Sequence, residues 1–221
     1  LKLEKQQATN QVPEKKSVLR VVIHSFFVVP LIIAIFSVII FLVVRIITSE
    51  PNTAQDYLED VKIGGSTKRW QGAFELSKIL SNPKMIPKDD RFILEMISSF
   101  EYASNDRDSR VRQYLALAMG ATKDSRYVPT LLASLDSSEP EMIMASIHAL
   151  GNIGDNAAVQ SIINILDHGE AKVRLQAVIS LGKIGDKSSI SNLKEMMTDS
   201  EVNVRWDAAI ALAKLGDPSG Q

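Results

Sequence analysis

Side chains able to act as acids, bases or nucleophiles are scattered through this sequence rather than gathered. The three histidines, His24, His148 and His168, stand far apart, and there is no cysteine to join any of them. A metal centre needs several His, Asp, Glu or Cys ligands converging on one point. The nearest approach is His168-Gly169-Glu170, and neither a Gly-rich phosphate loop nor a nucleophile elbow occurs. These residues predict no catalytic centre, no metal, no cofactor and no small-molecule substrate. What does recur is a set of ions at fixed spacing. Asp124, Asp155, Asp186 and Asp217 follow one another at steps of 31 residues, and Arg112, Arg174 and Arg205 fall in a second column of the same period, broken by Ile143. The chemistry expected of them is structural: aspartates capping helices, and arginines meeting aspartates of neighbouring units. Asp155 and Asp186 are expected to approach Arg174 and Arg205.

The elements that must position these columns are read from the same period. Val111–Asp124, Met142–Asp155, Val173–Asp186 and Val204–Asp217 superpose without a gap, with Gly120, Gly151 and Gly182 in one column and Ala213 as its exception. A period of this length signals a stack of supersecondary units. In each unit Val173, Ala177, Val178 and Leu181, or their equivalents, trace one face of a first helix, and the column glycine is expected to end it in the left-handed conformation. The column Asp then N-caps a second helix through Val128, Leu131, Leu132 and Leu135, or Val159, Ile162, Ile163 and Leu166. Pro140 occupies a first helical position. An earlier, atypical unit runs from Lys68 to Leu76 and from Asp89 to Ile97, and suits a terminal cap. Trp70 and Trp206, in first helices, are expected to pack between layers.

The repeat unit, best seen at Val173–Asp186, resembles the HEAT-like repeats of phycobilisome-lyase-type proteins, whose pattern is similar to V-R-x-x-A-x-x-A-L-G-x-I-G-D. The resemblance covers Val111 to Gln221 and implies an all-α solenoid of about four helical hairpins, with the second helices lining the concave side. The solvent-facing positions there read Thr130, Ala133 and Ser134, then Ser161, Asn164 and Ile165, then Asn192, Glu195 and Met196. Of these, Thr130, Ser134, Ser161, Ile165, Asn192 and Met196 are expected to form a protein-binding stripe, being neutral, small or mildly apolar. Some HEAT-like enzymes bind a di-iron centre through His-Glu dipeptides; this sequence has none.

Ahead of the repeats, Val21 to Val44 contains 24 residues without a formal charge. As a helix it would reach roughly 36 Å, enough for a hydrocarbon core of about 30 Å. The run is too long for the apolar part of a secretory signal and lacks a small-residue cleavage site. Segment 21–47 is therefore read as a transmembrane helix in contact with lipid, with 1–20 a basic cytoplasmic segment, 48–65 a tether and 66–221 the solenoid. Lys2, Lys5, Lys15, Lys16 and Arg20 precede the span, while Arg45 alone follows it before Lys62. That bias places the N-terminus in the cytoplasm and the repeats across an inner, cytoplasmic-type membrane.

From Ser66 onward there are 18 Lys and Arg against 20 Asp and Glu, a net charge of −2. This excludes the basic footprint that polyanions require, so nucleic acid is not an expected partner. The expected function is that of a scaffold or accessory subunit binding a protein, in a membrane complex, without catalysis. Two alternatives remain: a bilin-lyase-like enzyme or chromophore chaperone, implied by the resemblance, and a structural spacer recognised through its transmembrane helix.

Overall fold

A computed structural model describes residues 22–48, 52–106 and 108–220, which fall into two compact units divided after Pro51. The basic segment 1–20 lies outside the described residues. In the first unit a π-helical turn, His24–Val28, leads into helix α1, Val29–Thr48. The wide turn comes immediately before Pro30, whose missing N–H interrupts the regular ladder of helical hydrogen bonds. Within this unit Ser25–Ile46 is long and apolar enough to cross a membrane, and its large side chains from Phe26 to Ile46 are exposed.

The second unit is wholly helical among its described residues. Its elements are α2 (Ala54–Ile63), α3 (Ser66–Ile79), α4 (Asp90–Tyr102), α5 (Arg110–Thr122), α6 (Val128–Ala133), α7 (Pro140–Ile153), α8 (Val159–Ile163), α9 (Ala171–Ile184), α10 (Ile190–Met196) and α11 (Val202–Lys214). Segment 48–65, read from the sequence as a tether with a short helix around Ala54 to Val61 and a stop at Gly64-Gly65, contains α2, which is started by a capping box between Thr53 and Asp56 and buries Ala54, Leu58 and Val61 against α3 and α4. Its outer side carries Gln55, Asp56, Glu59 and Lys62, so it closes this end of the stack with a polar face.

The helices α3, α5, α7, α9 and α11 are the first helices, and each packs on the next. The short second helices α6, α8 and α10 fill the other layer, with α4 as their longer counterpart in the capping unit. Leu115, Leu131, Ile147, Ile162, Val178, Leu193 and Leu212 are fully buried between the layers, each contributing about 1.5–3 kcal/mol by removal from water. Two details differ from expectation. The column aspartates cap 3₁₀ turns, such as Ser125–Tyr127 after Asp124, and the second helices begin only after these turns. The column glycines do not end helices either. The left-handed positions fall three residues later, at Lys123, Gly154, Gly185 and Gly216.

What the column glycines provide is contact. A Cβ on Gly120 would fall 2.4 Å from the Cα of Ala149, and one on Gly151 or Gly182 would meet Ser180 or Ala211 within 2.8 Å. At each of these points the next helix offers only a small side chain. Alanine at position 120 would gain about 1 kcal/mol of helix propensity. The clash is with backbone, and overpacking of this kind costs about 1–3 kcal/mol or more. Gly120→Ala should therefore lower the urea unfolding midpoint of the detergent-solubilised chain, with a net loss of about 1–2 kcal/mol. Gly169→Ala, where a Cβ meets open space, should stay within about 0.5 kcal/mol of the parent.

Candidate protein-binding face and inter-unit ion pairs

The four column aspartates do the same local work. Each accepts a hydrogen bond from the backbone N–H two residues on, Arg126, Ala157, Ser188 or Ser219, at 2.8–2.9 Å. These bonds help hold the carboxyls below the usual range. Asp155 is lowered by the Ala157 N–H and then the Ser125 hydroxyl, and Asp186 by the backbone and side chain of Ser188. Asp217, paired with Lys194 at 2.9 Å, is lowered to about 2 by that lysine and Ser219. Asp124 pairs with Arg126, two residues away, which also reaches Asp90 of the capping unit.

The expected meetings of Asp155 with Arg174 and of Asp186 with Arg205 do not occur. Side chains on a helix lean toward its N-terminus, so Arg174, near the start of α9, reaches back into the preceding loop. Asp155 stands at the far end of the neighbouring first helix, about 18 Å away by helical rise. Arg174 instead makes a two-pronged pair with Asp199, Nε to Oδ2 at 2.8 Å and Nη2 to Oδ1 at 2.9 Å. Its Nη1 donates to the carbonyls of His168 and Gly169. Arg205 repeats the second part, donating to the carbonyls of Asp199 and Ser200 at 2.7 and 3.0 Å. Arg112 lies over the ring of Phe100, 4.7 Å from its centroid, and its buried Nε has no partner. Asp199 was not singled out by sequence reasoning, although it falls 25 residues after Arg174 in a loop column that also holds Ser137 and His168.

The expected binding stripe is displaced by one residue. Ser134 is 2% exposed, its Oγ donating to the Leu131 carbonyl and lying 2.6 Å from Ser146 Oγ. It belongs to the core. Ile165 and Met196, in the same column, are half-buried and pack on that core. The physical reason is helical spacing: Ser134 stands three residues after Leu131 and next to Leu135, so it borders the face that Val128, Leu131 and Leu135 bury. The side chains facing solvent are Pro129 and Ala133 in α6, Gln160 and Asn164 on α8 and its cap, and Ser191, Lys194 and Glu195 in α10. Thr130, Ser161 and Asn192 lie beside them, half-buried.

Setting Asp89 on Asp124 extends this row into the capping unit, where Leu94 and Ser98 are its exposed members. There Leu94, Glu95 and Ser98 join Lys62, Arg91 and Tyr102 around a pocket of about 440 Å³. Leu94 and Tyr102 are 66% and 62% exposed, a wet apolar pair beside charge. Lys62 and Arg91 both bind Glu95, at 3.2 and 2.8 Å, and with Gln55 they hold its carboxyl low. The aromatics divide likewise: Trp70 is half-buried under the Arg110 guanidinium, 4.3 Å away, whereas Trp206 is 69% exposed and packs between no layers.

Asp199 offers a direct test of the Arg174 pair. Its side chain is 6% exposed, and Arg174 holds its carboxyl below the ordinary range. A depressed carboxylate contributes stability that is fully present above its unfolded value, near pH 4, and is lost as pH falls through the folded value. Asp199→Asn should cost about 3 kcal/mol at pH 7, because it leaves a largely buried guanidinium without its anion. The gap between parent and variant should narrow as pH falls below about 4, measured by urea unfolding across pH.

The sequence matches a family model described as HEAT repeats over residues 99–170 and 159–220, together more than half of the chain. No match was found among curated protein sequences. Among solved structures, the complex of CpcE and CpcF of phycocyanin lyase from Nostoc sp. PCC7120 is similar in fold. It is 19% identical, with a TM-score of 0.65 covering 78% of this chain and 69% of that one. A designed armadillo repeat protein in complex with the peptide (KR)4 is 17% identical, with a TM-score of 0.54 covering 74% of this chain and 82% of that one. With its repeated helix pairs and matching family pattern, the chain belongs to the HEAT-repeat family.

Proposed function

We propose that this protein is a membrane-anchored adaptor that holds a protein partner, in a membrane complex, along the exposed row of its second helices. The observation that carries the reading is the row itself. Leu94 and Ser98, Pro129 and Ala133, Gln160 and Asn164, Ser191 and Glu195 stand in register across four units, and all but Glu195 are uncharged. Small neutral side chains let a partner's backbone approach closely, and the pocket bordered by Leu94 and Tyr102 gives one apolar anchor at the end of the row. A repeat solenoid supplies such extended surfaces, and the designed armadillo protein of similar fold carries a peptide. Helix α1 supports the anchor, exposing large apolar side chains on every side from Leu31 to Val44, with Arg45 in its last turn.

Charging the row should separate binding from folding. Ala133→Glu with Asn164→Glu should leave helicity unchanged and stability within about 0.5 kcal/mol per site, since both positions face solvent. Recovery of the partner from solubilised membranes should fall sharply. Undiminished recovery, together with loss of the partner when Val21–Val44 is exchanged for an unrelated span, would assign recognition to the transmembrane helix instead.

The anchor is proposed to place the repeats outside the cytoplasm, on the strength of five basic residues before the span and one directly after it. Protease added to intact spheroplasts should digest the repeats. Digestion in inverted vesicles alone would reverse the orientation, and release of the repeats as a soluble, shortened chain would identify the segment as a cleaved signal.

A further inference from the structure

The loop column Ser137, His168 and Asp199 has one role in common. Each side chain accepts a hydrogen bond from the backbone N–H two residues on, that of Glu139, Glu170 or Glu201, at 3.1, 3.1 and 2.8 Å. Asp199 has a second role, because its carboxylate also fills the two-donor edge of Arg174. Where the column holds His168, the matching arginine is absent too, replaced by Ile143. Both partners are missing there, and nothing is left unpaired. Where the column holds Ser137, the arginine remains as Arg112. The serine keeps the turn and cannot supply the anion.

Among the described residues, Arg112 correspondingly has no carboxylate at ion-pair distance, and the charge of Glu139 acts on it only from farther off. Its guanidinium is stacked on Phe100, its Nε is buried with no partner, and burial lowers its pKa. Beside it lies a pocket of about 290 Å³ bordered by Ser109, Ser137, Ser138 and Glu139, mostly polar side chains. Asp106 also borders it, and is already paired with Arg69 at 2.8 Å. A half-buried guanidinium whose Nε is buried without a partner is costly, and a two-oxygen acceptor in the plane of the guanidinium is what relieves it. We propose that Arg112, together with Ser137, forms a binding site for a single carboxylate, occupying the place that Asp199 takes beside Arg174. A carboxylate fits better than a phosphate for two reasons. The sister unit fills this slot with two coplanar oxygens, and the Glu139 carboxylate at the rim repels a dianion more than a monoanion. The site lies in the inter-unit loops and does not depend on the second-helix row.

The test uses the full chain in detergent micelles, with ¹⁵N labelling, and follows arginine Nε–Hε signals. The Arg112 signal is identified by its loss in Arg112→Lys. Sodium acetate should move it saturably, while sodium chloride at equal ionic strength should not. In Ser137→Asp the same signal should already be displaced and should ignore acetate, and the unfolding midpoint should rise by about 2–4 °C, a gain that Arg112→Lys removes. A blocked tripeptide, acetyl-Ala-Asp-Ala-amide, distinguishes two sources of the same group. Saturation at least tenfold below acetate identifies an acidic side chain of a partner polypeptide, and equal saturation a free small carboxylate; either supports the site. No response to acetate or tripeptide, an equal response to chloride, or saturation by inorganic phosphate below acetate would overturn the proposal. The titration of the parent chain stands even if Ser137→Asp does not fold.

Discussion

The close approach of successive first helices is the constraint on which the rest of the second unit depends. At Gly120, Gly151 and Gly182 the backbone of one helix meets Ala149, Ser180 or Ala211 of the next, with no room for a side chain between them. That contact fixes the spacing of the units. It brings the start of α9 against the loop that holds Asp199, so that Arg174 reaches a carboxylate 25 residues ahead of it. It also aligns the second helices so that their exposed residues form rows. A wider spacing would weaken the core and lose the pair together, because both rest on the same interaxial distance.

The ionic groups that the repeat makes conspicuous are mostly spent inside the molecule. Asp124, Asp155, Asp186 and Asp217 each satisfy a backbone N–H at the start of a 3₁₀ turn. Arg174 and Arg205 satisfy carbonyls of the loop before their helices. A recurring charge is thereby a recurring solution to the same problem, the unpaired backbone groups where a helix begins or ends. The face left for recognition is the quieter one, uncharged along α6 and α8 and charged only at Lys194 and Glu195 of α10.

The repeat, the two-helix unit and the apolar span were all legible in the sequence, because period and hydrophobic patterning are properties of residue order alone. Pro140 opens α7 as its position predicts, and each column aspartate caps as its type predicts. What sequence order conceals is how far the buried face of a short helix extends. Ser134 borders the face of Val128, Leu131 and Leu135 and lies in the core, while Ala133, read beside it as solvent-facing, is exposed. The same limit hid the role of the glycine column, since a glycine near a helix end reads as a stop signal and only the neighbouring helix reveals it as a contact. Asp199 lay in a loop column with three different residues, so it did not stand out by recurrence.

The successive packing of α3, α5, α7, α9 and α11 has a kinetic side. Each first helix finds its main neighbour about one repeat away in the chain, so the contacts that organise the stack are all of short sequence separation. Loop-closure entropy then stays nearly constant from one docking step to the next, and no step waits for a distant strand or terminus. Such a chain can assemble in the order in which it is synthesised, the polar helix α2 closing the first layer and each later hairpin adding to a surface already formed. Growth of this kind resembles crystal growth in one dimension: the slow event is making the first layer, and every addition after it is a repetition.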